Sequence, residues 1–178
     1  MKALIILILL PFNLVLAQDS AMVEFINLYR IKHGKNKLTV SEKLTKISVE
    51  QNEVIIADDS LSHSHKSSEI VVMGKHLPAT EKSKAMFIAF VKSLGLEYIE
   101  PKTEAEVITN TKLYCIYLFD NSPEHKKILL DKHKNIGLNI VIRDINFKSN
   151  EMVLDGQVVK FKNIKSYYNV KFYCTVNF

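Results

Sequence analysis

Residues 122–142 read SPEHKKILLDKHKNIGLNIVI, and the hydrophobic period changes inside that stretch. Ser122 is a helix-capping residue, Pro123 is preset for the first helical position, and Glu124 follows where the helix dipole favours an acid. A short helix to about Asp131 is expected. Beyond it Ile136, Leu138, Ile140 and Ile142 alternate with period two, as in a strand with one buried face. The same alternation returns at the end of the chain, where Tyr168, Val170, Phe172, Cys174, Val176 and Phe178 interleave with Asn169, Lys171, Thr175 and Asn177. Between the two, Asp155-Gly156 separates Met152-Val153-Leu154 from Gln157-Val158-Val159, the spacing of a tight hairpin.

Upstream of Ser122 the period is helical. Met22, Phe25, Ile26 and Tyr29 follow the capping candidates Asp19 and Ser20, and Gly34 stops that helix. Thr39 and Glu42 have the spacing of a capping box for a second helix carrying Leu44, Ile47, Gln51 and Val54 and ending near Asp58-Asp59. Pro78 and Thr80 open a third, whose Phe87, Phe90, Val91 and Leu94 share a face before Gly95. Thr103 and Glu106 can cap a fourth through EVITNTKLYCIYLF, a segment rich in β-branched and aromatic residues that also suits a buried strand. Helices first and strands afterwards predict an α+β domain, an α-β-α sandwich whose central antiparallel sheet is flanked by helices.

The chain has 178 residues, 47% hydrophobic and 24% charged, which fits one globular domain and excludes a disordered chain. The formal charge is +5, but only Arg30 and Arg143 are arginines. Positive charge carried by lysine suits a solvated surface better than nucleic-acid readout, which favours arginine forks and aromatic platforms. Residues 1–17, MKALIILILLPFNLVLA, have the basic start, apolar run and small residues of a cleavable signal peptide. Residues 18–178 are then expected to form a single domain outside the cytoplasm, with no transmembrane segment after cleavage. An oxidising destination permits a bridge between Cys115 and Cys174; an inert core thiol is the other reading of Cys174.

Several short pieces, in this order, resemble the CAP superfamily of secreted domains, which includes cysteine-rich secretory, pathogenesis-related and venom-antigen proteins. Phe25-Ile26-Asn27-Leu28-Tyr29-Arg30 with Gly34 is similar to its opening "LxNxxRxxxG", and Leu38 through Leu44 and Ile47 to its second helix. His63-Ser64 resembles a histidine-serine step, Ser68-Glu69-Ile70 a "GEN" in which only the acid is kept, and Ser122 to Leu129 the bacterial "SPxHxxxl". Ile136-Gly137-Leu138 looks like "iGxg". The tryptophan that precedes "SPxH" in bacterial members is missing, since the chain has none.

The resemblance implies a cleft carrying two histidines and one or two acids, which map onto His63, Glu69 and His125. Glu106, ranked ahead of Glu104, is the candidate second acid. Two imidazoles and a carboxylate suit either zinc or another divalent cation, with His63 and His125 as ligands, or an acid–base pair around a water. His65, one residue beyond Ser64, competes with His63. His33, His76 and His133 stand beside lysine or glycine and read as solvent-facing. The leading expectation is a non-catalytic binding module for a small ligand, lipid, metal or protein partner; the alternative is a metal-dependent hydrolase with Glu69 as base. No G-x-S-x-G or H-E-x-x-H motif gives hydrolysis independent support.

Overall fold

The computed structural model describes residues 20–64, 67–76, 80–146, 151–154, 157–160 and 169–178. The leader, Asp19, His65, Pro78, the Asp155-Gly156 turn and Tyr168 lie outside the described residues. Helix α1 covers residues 20–32. Strand β1 is Thr39–Val40, α2 is Glu42–Asp58, β2 is Glu69–His76, α3 is Glu81–Ser93 and α4 is Glu104–Asn121. Helix α5 is Pro123–Leu129, followed by β3 Asn135–Asn146, β4 Glu151–Leu154, β5 Gln157–Lys160 and β6 Asn169–Asn177.

The fold is α+β. The main sheet has the order β1-β3-β6-β2, and β4-β5 is a separate two-stranded sheet. β6 lies antiparallel to both β2 and β3, while the short β1 adds on parallel to β3. The main sheet is thus mixed rather than purely antiparallel, and two of its strands, β1 and β2, come from among the helices rather than after them.

One face of the sheet carries Ile70, Leu138, Ile140, Val170, Phe172, Cys174 and Val176 into the main core with Met22, Ile26, Phe87, Val91, Ile116 and Phe119 of α1, α3 and α4. Burying each such large side chain stabilises the fold by roughly 1.5–3 kcal/mol. The other face is also covered. There α2 packs Ile55 against Val71 and Tyr173, and its buried residues are Ser48, Gln51, Asn52 and Ile55. The expected apolar stripe through Leu44, Ile47 and Val54 is therefore rotated, with Val54 left 47% exposed.

The reason is a matched polar layer. Asn52 Nδ2 donates to the Asn139 carbonyl and side-chain oxygens at 2.9 and 2.7 Å, and Thr175 Oγ1 donates to Asn52 Oδ1 at 2.6 Å. Asn177 Nδ2 donates to Ser48 Oγ at 2.8 Å, which in turn donates to the Gly137 carbonyl at 3.0 Å. Buried polar groups are tolerable only when paired in this way. Thr175 and Asn177, which alternate with apolar residues along β6, face a helix, not water. Gly137 lets α2 lie this close: a Cβ there would meet the Leu44 backbone carbon at 2.0 Å.

Capping matches the sequence at most helix starts. Thr80 caps α3, Thr103 and Glu106 form the capping box of α4, and the Ser122 hydroxyl accepts from the His125 amide at the start of α5. At α2 the cap is Ser41, whose hydroxyl accepts from Leu44, because Thr39 is taken into β1. The opening motif is architectural. Asn27 clamps Leu38 through both its backbone N–H (2.7 Å) and its carbonyl (3.1 Å). Arg30, 1% exposed, donates to the carbonyls of Asn36, Leu129 and Asp131, tying the end of α1 to the end of α5.

Candidate functional site

The connection from α2 to β2 carries His63 and Ser64, and Glu69 opens β2 at the edge of the sheet. Gln51 of α2 fixes the start of this connection by donating from Nε2 to the Ser62 carbonyl (2.7 Å) and hydroxyl (3.0 Å). Glu69 then folds the connection onto itself. Its Oε2 accepts from the Ser64 amide at 2.9 Å and lies 3.1 Å from His63 Nδ1, and its Oε1 accepts from the Ser64 hydroxyl at 2.7 Å. The Glu69 side chain is 3% exposed and that of His63 48% exposed. A carboxylate at Nδ1 selects the tautomer in which that nitrogen carries the proton and Nε2 the lone pair.

His125 approaches from the other helical layer. It sits at the third position of α5, which packs against β2, and its ring meets the Phe119 ring edge-on at 6.0 Å. Burial pushes its imidazole below the ordinary histidine value, the nearby His63 ring lowers it further, and Glu124 opposes both. Residues 63 and 125, set on opposite faces of the sheet by α2 and α5, are thus brought within electrostatic reach around the β2 edge. His125 is held toward the neutral form, with burial the larger cause.

Glu106 does not join them. Its carboxylate accepts from the amides of Lys102 and Thr103 at 2.7 and 2.9 Å, and those bonds hold it below the usual carboxylate range. It caps the start of α4, an 18-residue helix about 27 Å long, whereas Phe119 and His125 are at the far end. There Glu106 borders a separate cleft of about 200 Å³ with Ile99, Thr109 and Asn110. The expected second acid is a capping residue.

The metal expectation can be tested on the donor set. The donors are the imidazoles of His63 and His125 and the carboxylate of Glu69, whose two oxygens also accept hydrogen bonds from the connection. Among the described residues no three His, Cys, Asp or Glu side chains are grouped to hold an ion.

His133 is not simply solvent-facing. It is stacked on Phe178 at 4.7 Å with Nε2 3.1 Å from the Ile128 carbonyl, and burial lowers its imidazole too. His33 is exposed, lying on Tyr29 at 4.3 Å; the side chain of His76 lies outside the described residues. A second cleft, about 370 Å³, has a basic rim of Lys35, Lys132 and Lys134 beside Asp131.

Gln51 and Phe119, which position the two histidines, were not singled out as site residues from the sequence. Gln51 lay on a helical stripe read as core, and nothing in the spacing of Phe119 separates it from its apolar neighbours. No described helix is long and apolar enough to cross a membrane. Compared with protein-family models, curated proteins and solved structures, the chain matches none of them.

Proposed function

We propose that the chain is an exported CAP-like domain that works as a binding module without chemistry of its own, its ligand meeting the imidazoles of His63 and His125. One observation carries the reading. Two imidazoles more than sixty residues apart in sequence come within electrostatic reach at one sheet edge, and Glu69 is spent on orienting that of His63. A neutral His125 and a His63 fixed by Glu69 offer hydrogen-bonding nitrogens to a small ligand, a lipid headgroup or a side chain of a protein partner outside the cytoplasm. The layered fold and the structural use of Asn27, Arg30 and Gly137 support the resemblance on which the CAP reading rests.

The hydrolase alternative is weaker on the same geometry. It asks Glu69 to take a proton from a water, yet that carboxylate accepts from Ser64 twice and from His63.

The test is organic extraction of the exported protein followed by mass spectrometry, run on the parent and on the double variant His63→Ala/His125→Ala. A compound that travels with the parent and is lost from the variant is the expected result. Identical extracts from the two proteins overturn the reading.

A further inference from the structure

The cleft with the basic rim, about 370 Å³, opens between the turn after α1 and the connection from α5 to β3. Its lining shares no residue with the site at His63 and His125. Surface lysine accounts for the rim but not for Arg30, which lines the cleft while only 1% exposed. A guanidinium carries five N–H donors. Nε donates to the Asn36 carbonyl and Nη1 to those of Leu129 and Asp131. These bonds complete the clamp, and among the described residues the two N–H groups of Nη2 meet no acceptor. Every partner of the group is a neutral carbonyl, and a buried charge with unpaired donors is costly. Around Arg30 stand Lys35, Lys132 and Lys134, all exposed and none within ion-pair distance of a carboxylate among the described residues. Asp131 is the one acid in the described lining, and its Oδ1 accepts from the Lys132 amide at 2.7 Å. His133 donates from Nε2 to the Ile128 carbonyl at 3.1 Å, and burial keeps its imidazole toward the neutral form. Four cations thus face one carboxylate.

We infer that this cleft binds a phosphoryl group, either free phosphate or the phosphomonoester headgroup of a lipid, between Nη2 of Arg30 and the ammonium groups of Lys35, Lys132 and Lys134. The excess of positive charge suits a doubly charged anion better than a single carboxylate. Guanidinium N–H groups in a fixed plane match phosphate oxygens, while lysine serves as a mobile point charge. A cleft lined by one sign of charge, with low-dielectric walls, concentrates such an anion. Its volume lies at the small end of ligand pockets, enough for the phosphoryl group and the start of an esterified alcohol. Both backbone segments that carry the lysines are already tied together through Arg30, so the site is assembled before a ligand arrives.

The test titrates the purified protein with inorganic phosphate at low ionic strength, read by calorimetry and by the side-chain nitrogen resonances of Arg30 in NMR. Saturation at one phosphate per chain, with the Arg30 resonances moving, is the expected result. Lys132→Ala/Lys134→Ala changes two exposed side chains, keeps the fold and binds about tenfold more weakly. A second arm offers phosphatidylcholine vesicles containing either phosphatidic acid or phosphatidylglycerol. Preference for phosphatidic acid, relieved by added phosphate, assigns the site to a lipid headgroup; phosphate saturation without that preference assigns it to the free ion. The inference is overturned if neither arm shows specific binding up to about 10 mM phosphate, if Lys132→Ala/Lys134→Ala binds as the parent does, or if the Arg30 resonances stay in place. Equal binding to both vesicle types with no phosphate saturation is diffuse charge attraction and overturns it too.

Discussion

His63 Nδ1 lies 3.1 Å from Oε2 of Glu69, six residues further along the chain. The contact is unlike a surface ion pair, because the carboxylate is 3% exposed and also accepts from the amide and hydroxyl of Ser64. Glu69→Gln keeps the volume but sets an amide donor against groups that themselves donate. The variant is expected to lose about 1–3 kcal/mol in urea unfolding, the cost of leaving buried donors unpaired. An unchanged midpoint would mean that Glu69 does not organise the connection.

Stability should fall on mild acidification. Burial lowers the imidazoles of His125 and His133, with His63 adding to the effect at His125. The unfolded chain therefore takes up protons first as pH drops through about 6.5. The stabilisation is complete above that value and is lost downward until the folded-state rings protonate as well. Thermal melts from pH 7.5 to 5.5 should show a falling midpoint in the parent and a flatter profile in His125→Gln/His133→Gln. Parallel profiles would contradict the assignment.

Arg30 should resist conservative replacement. Its guanidinium reaches three carbonyls on two segments, a spread that the single ammonium of lysine cannot match. Arg30→Lys is expected to cost about 2–4 kcal/mol and Asn27→Ala about 1–3 kcal/mol by chemical denaturation, with each fold retained by circular dichroism. Costs below 0.5 kcal/mol would show that these clamps are incidental.

Gly137→Ala is a sharper packing test. The added carbon meets backbone of α2 rather than a side chain that can swing away, so α2 must lift from β3 and strain the Ser48 and Asn52 bonds. A loss of about 1–3 kcal/mol or more is expected, read from the denaturation midpoint. A neutral substitution would place α2 further from the sheet than described.

Helix starts and the two long strands were legible because their signals are local. Ser122-Pro123 dictates a cap, and the alternation from Ile136 to Ile142 dictates a strand. What escaped was set by partners distant in sequence. Ile70, Val71, Val72 and Met73 of β2 form an unbroken apolar run because residues on both faces of the sheet are covered, and such a run lacks the alternation that announces a strand. The buried face of α2 was misread for a related cause: Ser48 and Asn52 look solvent-facing until Asn139, Thr175 and Asn177 are placed opposite them. Of the site, motif order put His63 and Glu69 in one cleft but did not show that they bond to each other, whereas Glu106 satisfied two readings at once and its local capping role is the one the structure uses.

The convergence of His63 and His125 is tested most directly by titrating the His125 imidazole by NMR in the parent and in His63→Ala. The account predicts a His125 value below the ordinary 6.5 in the parent that moves upward, without full recovery, when His63 is removed, because burial remains. A His125 titration that does not respond to the loss of His63 would contradict the shared site.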